Sequence, residues 1–542
     1  MIKSSNFTAS FPVPTNNTLN RKGPIDMCQT VVTSEQPAAW QVRTQEYREA
    51  AAAKIPNAWR LEKQYTQDGG PSSDLNVLNV PANCGILTER EVDITENHDA
   101  VSLLEHLVQS DMTSEEVTIA FSKRAAIAQQ LTCCLTETMF DTALSRAREC
   151  DRYLAEHKEP MGPLHGLPIS IKDSFDVKNV RSTIGFVSFL DRDAAADDAA
   201  LVKVLLSLGA VIYVKTNIPQ SLMTADSHNN IFGRCLNPNK LSLGAGGSSG
   251  GEGALLAMRG SPIGVGTDIA GSIRIPAYVN GTFGFKPTCQ RIPYGGQANP
   301  GREGMFGILP CAGPLARSVR DVEMFMKAVL SYDCWKLDES VVSVPWREQN
   351  PSTPGEKKLK LGYILEDPKR PLHPTVMRTM KTVIAKLEAA GHALVPLAAE
   401  LPRNILAEAT ESAFSNFIMD PNKTSLGFIT TSGEPVVPSI PTATLPELKH
   451  FKPELDDVWR LNVEKQGIQK LFRQLYASRD LDAVVLPTYQ ATAVPHDKYG
   501  VPYYTVLANL LDYPSMTIPF LKAEKALDAK YRRDVTYVPP CK

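Results

Sequence analysis

The sequence has no long apolar run and almost no net charge. Its apolar segments all fall short of the roughly 18 uncharged residues that a membrane-spanning helix needs, and its formal net charge is −2. A charge so close to zero provides no bulk attraction for nucleic acid or for a membrane surface. We therefore expect a protein with neither a membrane span nor a nucleic-acid partner.

Cysteine motifs are missing as well. The ten cysteines are scattered along the chain, with no Cys-x-x-Cys pair and no paired histidines at metal-binding spacing. In a chain of 542 residues this pattern is typical of reduced thiols rather than of a disulfide framework or a zinc site. The polar N-terminus carries no apolar core of a secretory signal. These absences predict a cytoplasmic protein with no metal and no cofactor.

The pattern that is present is one of alternating strands and helices. Strands are predicted at Leu167–Lys172, Ala210–Lys215 and Ser261–Asp268, and helices at Asp198–Leu208 and from Gly250 onward. Apolar residues alternate with other residues along the first of these strands, which is the period of a half-buried strand. The order strand, helix, strand, helix, strand indicates an α/β domain with helices packed on a central sheet.

The unusual chemistry is concentrated between Gly244 and Ile275. This stretch holds glycine clusters around two serines, Ser248 in GGSSGGEG and Ser272 in GTDIAGSIR. Glycine at this density lets the backbone approach a ligand closely. Each serine taken alone also fits an ordinary loop or a helix cap.

One lysine upstream completes the set. Lys172 ends the first predicted strand, 100 positions before Ser272. It is either a strand-end lysine whose ammonium lies in water or a desolvated lysine kept neutral to act as a base. Burial lowers the pKa of a lysine by several units, which brings it into the range useful for proton transfer at neutral pH.

Rival motifs fit part of the same stretch. Gly246-x-Ser248-x-Gly250 matches the nucleophile elbow of α/β-hydrolases, which makes Ser248 the nucleophile of a serine esterase and requires a later histidine. The later histidines include His373, His392, His450 and His496. This interpretation does not explain Lys172 or the second serine motif. A phosphate loop lacks its Gly-Lys-Ser/Thr, and the Rossmann fingerprint fails at Ser249.

Three segments together resemble the amidase signature family in their order and spacing. They read HGLPISIKDSFDV, GAGGSSGGEGALLAMRGSPIGVGTDIAGSIRIPA and NGTFGFKPT. Further segments resemble the fungal acetamidase-type branch, among them AAAKIPNAWRL, IFGRCLNP, LEAAGH, VPHDKY and NLLDYPS.

This resemblance implies a single large α/β domain whose mixed central β-sheet is surrounded by α-helices. We expect that domain at residues 100–521. Residues 1–40 are predicted to be a poorly ordered extension, and residues 41–99 a helical and loop segment that packs on the core. Residues 522–542 are predicted to be a divergent or truncated tail, because the strand and the helix that usually follow in the family are not found there.

The resemblance also implies the roles of the central residues. Ser272 corresponds to the nucleophile, Ser248 to a bridging serine preceded by a cis peptide bond, and Lys172 to the general base. An amide is then hydrolysed through an acyl-enzyme to a carboxylate and either ammonia or an amine. The expected oxyanion hole is formed by the backbone N–H groups of four residues, Ile269, Ala270, Gly271 and Ser272. Asp268 and Arg274 are expected to support this loop.

By the same resemblance the substrate is a small-molecule amide, and Thr216–Gly233 lines its acyl pocket. Candidate contacts are Met223, Thr224 and Asp226, together with Ser248. Asp226 favours small or polar acyl groups if it faces the substrate, but it fits a loop-stabilising role equally well. A homodimer stays open.

Ala270 departs from the family, which usually has glycine at that position. An alanine with positive φ costs roughly 1–2 kcal/mol, and its methyl group would crowd the acyl pocket. A second hypothesis therefore stays open: an amidase-like protein with little or no catalysis that acts by binding.

Overall fold

A computed structural model describes residues 37–348 and 357–538. The predicted extension at 1–40 lies almost entirely outside the described residues. From Trp40 onward the described chain belongs to one compact unit.

The helices of the described residues follow in chain order. They are α1 (Ala39–Ala53), α2 (Lys63–Thr66), α3 (Val80–Asn83), α4 (Glu89–Asn97), α5 (Ala100–Gln109), α6 (Ser114–Thr132), α7 (Phe140–His157), α8 (Ala200–Ser207), α9 (Gly250–Ala257), α10 (Arg274–Asn280), α11 (Val319–Leu330), α12 (Pro374–Ala389), α13 (Ile405–Phe417), α14 (Thr424–Thr431), α15 (Ser439–Thr442), α16 (Leu455–Arg479), α17 (Val506–Leu511) and α18 (Lys525–Asp528).

The strands are shorter than most of the helices. They are β1 (Leu135–Thr138), β2 (Pro168–Lys172), β3 (Val211–Thr216), β4 (His228–Asn229), β5 (Gly233–Arg234), β6 (Ile263–Asp268), β7 (Phe283–Lys286), β8 (Cys311–Ala316), β9 (Lys360–Tyr363), β10 (Ala393–Pro396), β11 (Ala483–Val485) and β12 (Ser515–Thr517).

Seven strands form the central sheet in the order β1-β3-β2-β6-β8-β7-β12. The inner strands β3, β2 and β6 run parallel, whereas the other neighbouring pairs are antiparallel. The predicted α/β domain with a mixed central sheet is therefore confirmed. The predicted strands at 167–172, 210–215 and 261–268 are β2, β3 and β6, and they lie side by side.

Strand β2 is buried along its whole length, so the prediction of a half-buried strand was wrong. Helix α9 packs against β2, β3 and β6 and covers the face that carries Ser170 and Lys172. The alternation in the sequence arises because the residues on that face are polar. They are shielded from water by the helix that the Gly-rich stretch forms.

A second, three-stranded parallel sheet has the order β10-β9-β11. Strands β10 and β11 share a separate hydrophobic cluster with helices α12, α13, α16 and α17. Helices α13 and α17 also reach the loop that follows β6, because Ile269 and Ala270 pack against the same cluster. This second cluster thus supplies one wall of the site described below.

At the start of the described chain, Trp59 packs edge-on against Phe140, with ring centroids 5.3 Å apart. In the predicted tail, Asp528 forms a salt bridge of 2.6 Å with Arg378 of α12. Across the described residues, no helix combines the length and hydropathy needed to cross a membrane. The eight cysteines described there are all free thiols.

Candidate active site

Lys172 lies at the end of β2 with none of its surface exposed to solvent. Its Nζ atom donates hydrogen bonds to two hydroxyl groups, Ser248 Oγ and Thr267 Oγ1, each at 2.7 Å. The alternative of a strand-end lysine with its ammonium in water is therefore wrong. The structure joins Lys172 directly to one of the two predicted serines.

Burial lowers the pKa of Lys172 to about 7, while the negative charges of Asp268 and Glu252 act in the opposite direction. Neither carboxylate lies within ion-pair distance of Nζ, so the two attractions only partly offset the desolvation of the ammonium. A substantial fraction of Lys172 is thus uncharged near neutral pH.

Ser248 lies two residues before the start of helix α9 and is almost completely buried. The peptide bond between Gly247 and Ser248 is cis, as the resemblance implies. The following residue brings the second serine motif close, since Ser249 N donates to the carbonyl oxygen of Ser272 at 3.1 Å. The two Gly-rich segments thus meet through backbone contacts.

Ser272 lies in the turn between β6 and α10, partly exposed on the wall of a cavity. Asp268 fixes this turn: its Oδ1 accepts from Gly271 N at 2.8 Å and its Oδ2 from Ile273 N at 3.1 Å. Arg274 donates to both carboxylate oxygens, at 2.9 and 3.0 Å. The turn is consequently held by one buried carboxylate.

Asp268 stays ionised although it is buried. Burial opposes its charge, but the Arg274 guanidinium and hydrogen bonds from Arg274 and Asn509 outweigh that effect and hold its pKa well below the usual range. Asn509 Nδ2 donates to Asp268 Oδ1 at 2.9 Å. Helix α17, which carries Asn509, is therefore part of the support of the turn.

Backbone donors face the same space as Ser272. Within the described residues, the N–H groups of Ile269, Ala270 and Ser272 have no hydrogen-bond acceptor, whereas that of Gly271 donates to Asp268. The carbonyl oxygen of Ala270 accepts from Thr505 Oγ1 at 2.6 Å, which fixes the orientation of this peptide.

The conformation of the turn places its positive φ at glycine. Gly271 has φ +128°, whereas Ala270 is not among the described non-glycine residues with positive φ. The strain considered for Ala270 therefore does not arise. Its methyl group belongs to the cavity wall.

The cavity beside Ser272 is narrow, with a volume of about 30 Å³. Its walls come from the segment before β4, from the turn, from α13 and from the loop before α17. The lining residues are Leu222, Met223, Thr224, Ala225, Gly247, Ile269, Ala270, Gly271, Ser272, Ile275, Phe414, Phe417, Ala443, Gly500 and Pro502. Only two of them carry a polar side chain, and none is charged.

The predicted pocket residues divide into two groups. Met223 and Thr224 line the cavity. Asp226 does not: it forms a salt bridge of 2.9 Å with Arg234 and accepts from Asp497 N at 2.7 Å. Burial raises the pKa of Asp226, and Arg234 opposes that rise. Its contacts are those of a residue that ties two loops together behind the cavity wall.

The nucleophile-elbow interpretation finds no support in these contacts. Among the described residues, the side-chain partner of the Ser248 hydroxyl is Lys172 rather than a histidine. His496 instead bonds the Leu241 carbonyl oxygen at 2.9 Å, and His392 accepts from Leu359 N. The described residues also contain no group of three His, Cys, Asp or Glu side chains suited to a metal ion.

Several residues of the site were not found from the sequence. Thr267 precedes Asp268 on a predicted strand. It could have been identified only by expecting that this strand, β6, pairs with β2, which carries Lys172. Thr505 and Asn509 lie more than 200 positions from the turn that they hold. Phe414 and Phe417 come from a helical region with no distinctive pattern, and no local signal identifies them.

Comparison with known proteins agrees with the geometry. The amidase family profile matches residues 116–534. An amidase of Gibberella moniliformis is 38% identical over 506 residues, covering 92% of this chain and 93% of that protein. An acetamidase of Emericella nidulans is 37% identical over 507 residues, covering 91% and 89%.

Among solved structures, a fatty acid amide hydrolase superposes with a TM-score of 0.82 at 30% identity, covering 92% of this chain and 87% of that one. The sequence and the fold point to the same conclusion: the chain belongs to the amidase family, whose members are hydrolases of amide C–N bonds, and it is such a hydrolase.

Proposed function

We propose that this hydrolase cleaves its amide through an acyl-enzyme on Ser272, with Ser248 as the bridging serine and Lys172 as the general base. The observation that carries the proposal is the 2.7 Å hydrogen bond between buried Lys172 and Ser248 beside the Ser272 turn. A serine hydroxyl is a poor nucleophile until a base removes its proton. Here the base acts through a second hydroxyl.

The proton path follows from the order of these groups. As Ser272 Oγ forms its bond to the substrate carbonyl carbon, its proton passes to Ser248, whose own proton passes to uncharged Lys172. The proton then returns along the same path to the nitrogen of the leaving group as the C–N bond breaks. Ammonia or an amine departs, and water attacks the acyl-enzyme by the same route to release the carboxylate.

The oxyanion that forms on the carbonyl oxygen needs hydrogen-bond donors. The N–H groups of Ile269 and Ala270 are unpaired within the described residues and lie in the cavity wall with Ser272. One such donor is worth about 3 kcal/mol in the transition state. In this proposal Gly271 contributes mainly by fixing the turn, because its N–H already donates to Asp268.

We further propose that the acyl group is short and uncharged. The cavity holds about 30 Å³ and has no charged lining residue. Phe414 and Phe417 narrow it from the side of α13, their rings packed edge to face with centroids 5.4 Å apart. Two similar proteins are named acetamidases, which agrees with a short acyl chain.

One argument for the hypothesis of an inactive binding protein no longer applies. It relied on the possibility of strain at Ala270, and the positive φ of this turn lies at Gly271 instead. Ser272, Ile269 and Ala270 line the cavity, and the Lys172–Ser248 hydrogen bond lies behind its wall, which supports the catalytic alternative.

The first prediction concerns the nucleophile. A fluorophosphonate probe should label the wild-type protein, and Ser272→Ala should abolish both labelling and amide hydrolysis, because the proposal assigns the nucleophilic hydroxyl to Ser272. Lys172→Ala should lower the rate of labelling about 100-fold or more, since general base catalysis contributes on that scale. Labelling of Ser272→Ala at the wild-type rate would contradict the proposal. Full labelling of Lys172→Ala would favour the nucleophile elbow.

A second prediction concerns pH. Only uncharged Lys172 accepts a proton, so kcat/KM should rise with pH through an apparent pKa of about 7 and level off above it. The measurement is a pH profile of kcat/KM on acetamide with ammonia release as the readout. A flat profile between pH 5 and about 9 would exclude a lysine with this lowered pKa as the base.

A third prediction compares the two small residues of the turn. Gly271→Ala should destabilise the protein by at least about 1–2 kcal/mol, because alanine is strained at this φ and its Cβ would lie 2.3 Å from Thr505 Oγ1. Ala270→Gly is the matched control and should leave the melting temperature nearly unchanged. The comparison is made by differential scanning calorimetry, and equal melting temperatures for the two variants would refute the assigned geometry.

A fourth prediction tests acyl length. Phe417→Ala should widen the cavity and raise kcat/KM for hexanamide relative to acetamide by about tenfold or more, in line with the energy of added methylene groups in an apolar pocket. Phe306→Ala is the control, since Phe306 is 76% exposed and does not line the cavity. If the ratio of kcat/KM for hexanamide to that for acetamide stays at the wild-type value in Phe417→Ala, the acyl group does not bind beside Phe417.

A further inference from the structure

The mechanism proposed above leaves one buried carboxyl group unused. Glu252 lies on helix α9, four residues after Ser248, and has no surface exposed to solvent. Its hydrogen-bond partners are two hydroxyl groups, Ser170 Oγ to Oε2 at 2.6 Å and Thr216 Oγ1 to Oε1 at 2.9 Å. A carboxyl group is costly to bury in this way, so its presence beside the site requires an explanation.

Strand register puts this carboxyl group on the same face of the sheet as Lys172. Ser170 and Lys172 are two residues apart on β2 and therefore point to the same face. Thr216 on β3 is the direct neighbour of Lys172 across the strand pair. The two hydroxyls that hold Glu252 are thus neighbours of Lys172, one along its own strand and one on the adjacent strand.

Gly264 on the third strand makes room for the carboxyl group. It is the register partner of Ser170, and a Cβ at this position would lie 1.9 Å from Glu252 Oε2. Any other residue would force the carboxyl group away from the strand face. Three adjacent strands therefore form one seat for the Glu252 side chain.

The charges around Lys172 show that Glu252 can influence its proton affinity. Within the described residues, no cation lies within ion-pair distance of Glu252, and no carboxylate lies within that distance of Lys172. Asp268 is nearby, but its charge is already balanced by Arg274. Of the two carboxyl groups that act on Lys172, Glu252 is consequently the one whose charge is not neutralised by a neighbouring guanidinium.

We propose that Glu252 is a positioning residue that sets the proton affinity of Lys172 and stabilises the ammonium formed when Lys172 takes the proton from Ser248. The inference rests on the proposed function, because it assigns Lys172 the role of base. During acylation Lys172 becomes positively charged while its side chain is completely buried. A carboxylate held on the same sheet face lowers the cost of that charge.

The two groups titrate in the same range. Burial raises the pKa of Glu252 to about 7, and the hydrogen bonds from Ser170 and Thr216 and the charge of Lys172 oppose the rise. The charge of each group shifts the pKa of the other, because Glu252 raises the pKa of Lys172 and Lys172 lowers that of Glu252. Ionised Glu252 raises the pKa of Lys172, so removing its charge lowers that pKa.

Other ionisable groups surround the pair on the packed elements. They are Asp268 on β6, Arg274 on α10, Lys286 on β7, Arg124 on α6, the ion pair of Lys215 and Asp173, the tyrosines Tyr213 and Tyr294, and the cysteines Cys134 and Cys311. Burial raises the pKa of both tyrosines and both cysteines, so these four stay uncharged through neutral pH. None of these groups changes between the variants compared below.

The test follows the rate of Ser272 labelling by a fluorophosphonate probe as a function of pH, which requires no knowledge of the substrate. In Glu252→Gln the acidic limb of the plot of labelling rate against pH should move to lower pH by about one unit. The maximal labelling rate should fall about tenfold, which is the change in rate that one pKa unit represents. Glu252→Asp keeps the charge and should restore most of the limb position. Asp321→Asn removes a buried carboxyl group on α11, outside the strands and the helix that hold Glu252. Asp321 accepts from Val101 N, and this variant should leave the acidic limb unmoved.

An acidic limb that stays in place in folded Glu252→Gln overturns the inference. If that variant does not fold, Ser170→Ala decides, because losing one donor to the carboxylate favours its protonated form and should move the limb the same way by a smaller step. An unmoved limb in Ser170→Ala then overturns the inference as well. Failure of the proposed function gives a different result, namely that Ser272→Ala is labelled like the wild-type protein.

Discussion

The site depends on keeping the amine of Lys172 out of water. An exposed lysine is charged at neutral pH and cannot accept a proton, whereas Lys172 has a pKa of about 7 because the sheet and helix α9 enclose it. Two hydroxyls, Ser248 and Thr267, satisfy its hydrogen bonds without adding a charge. The central sheet and helix α9 together exclude solvent from Lys172.

Charge is distributed unevenly around that enclosure. Asp268 pairs with Arg274 and uses its carboxylate to hold backbone N–H groups of the turn that carries Ser272, so its role is geometric. Glu252 is held by hydroxyls alone and keeps its influence on Lys172. The two carboxyl groups near Lys172 thus serve different purposes because their partners differ in charge.

The sequence predicted the inner strands of the central sheet well. The strands that carry Lys172 and precede Ser272 were placed correctly, because their periodicity is local and the Gly-rich motifs between them resemble a known family. The half-buried character assigned to β2 was wrong, since a strand pattern cannot show that a helix will cover its polar face. From the sequence, Asp226 could either contact the substrate or stabilise a loop. The structure shows that it pairs with Arg234 and does not line the cavity.

What the sequence by itself determined is therefore the set of reactive groups, the α/β class and the order of the central strands along the chain. The tertiary structure decided which groups meet and how they are solvated. Thr505 and Asn509 hold the turn that carries Ser272 from more than 200 positions away, and Phe417 lines the cavity beside it. The Glu252 carboxyl group is held by residues of three strands. Such contacts depend on packing between distant segments, and the pKa of a buried group depends on that packing, so neither is encoded in a local pattern.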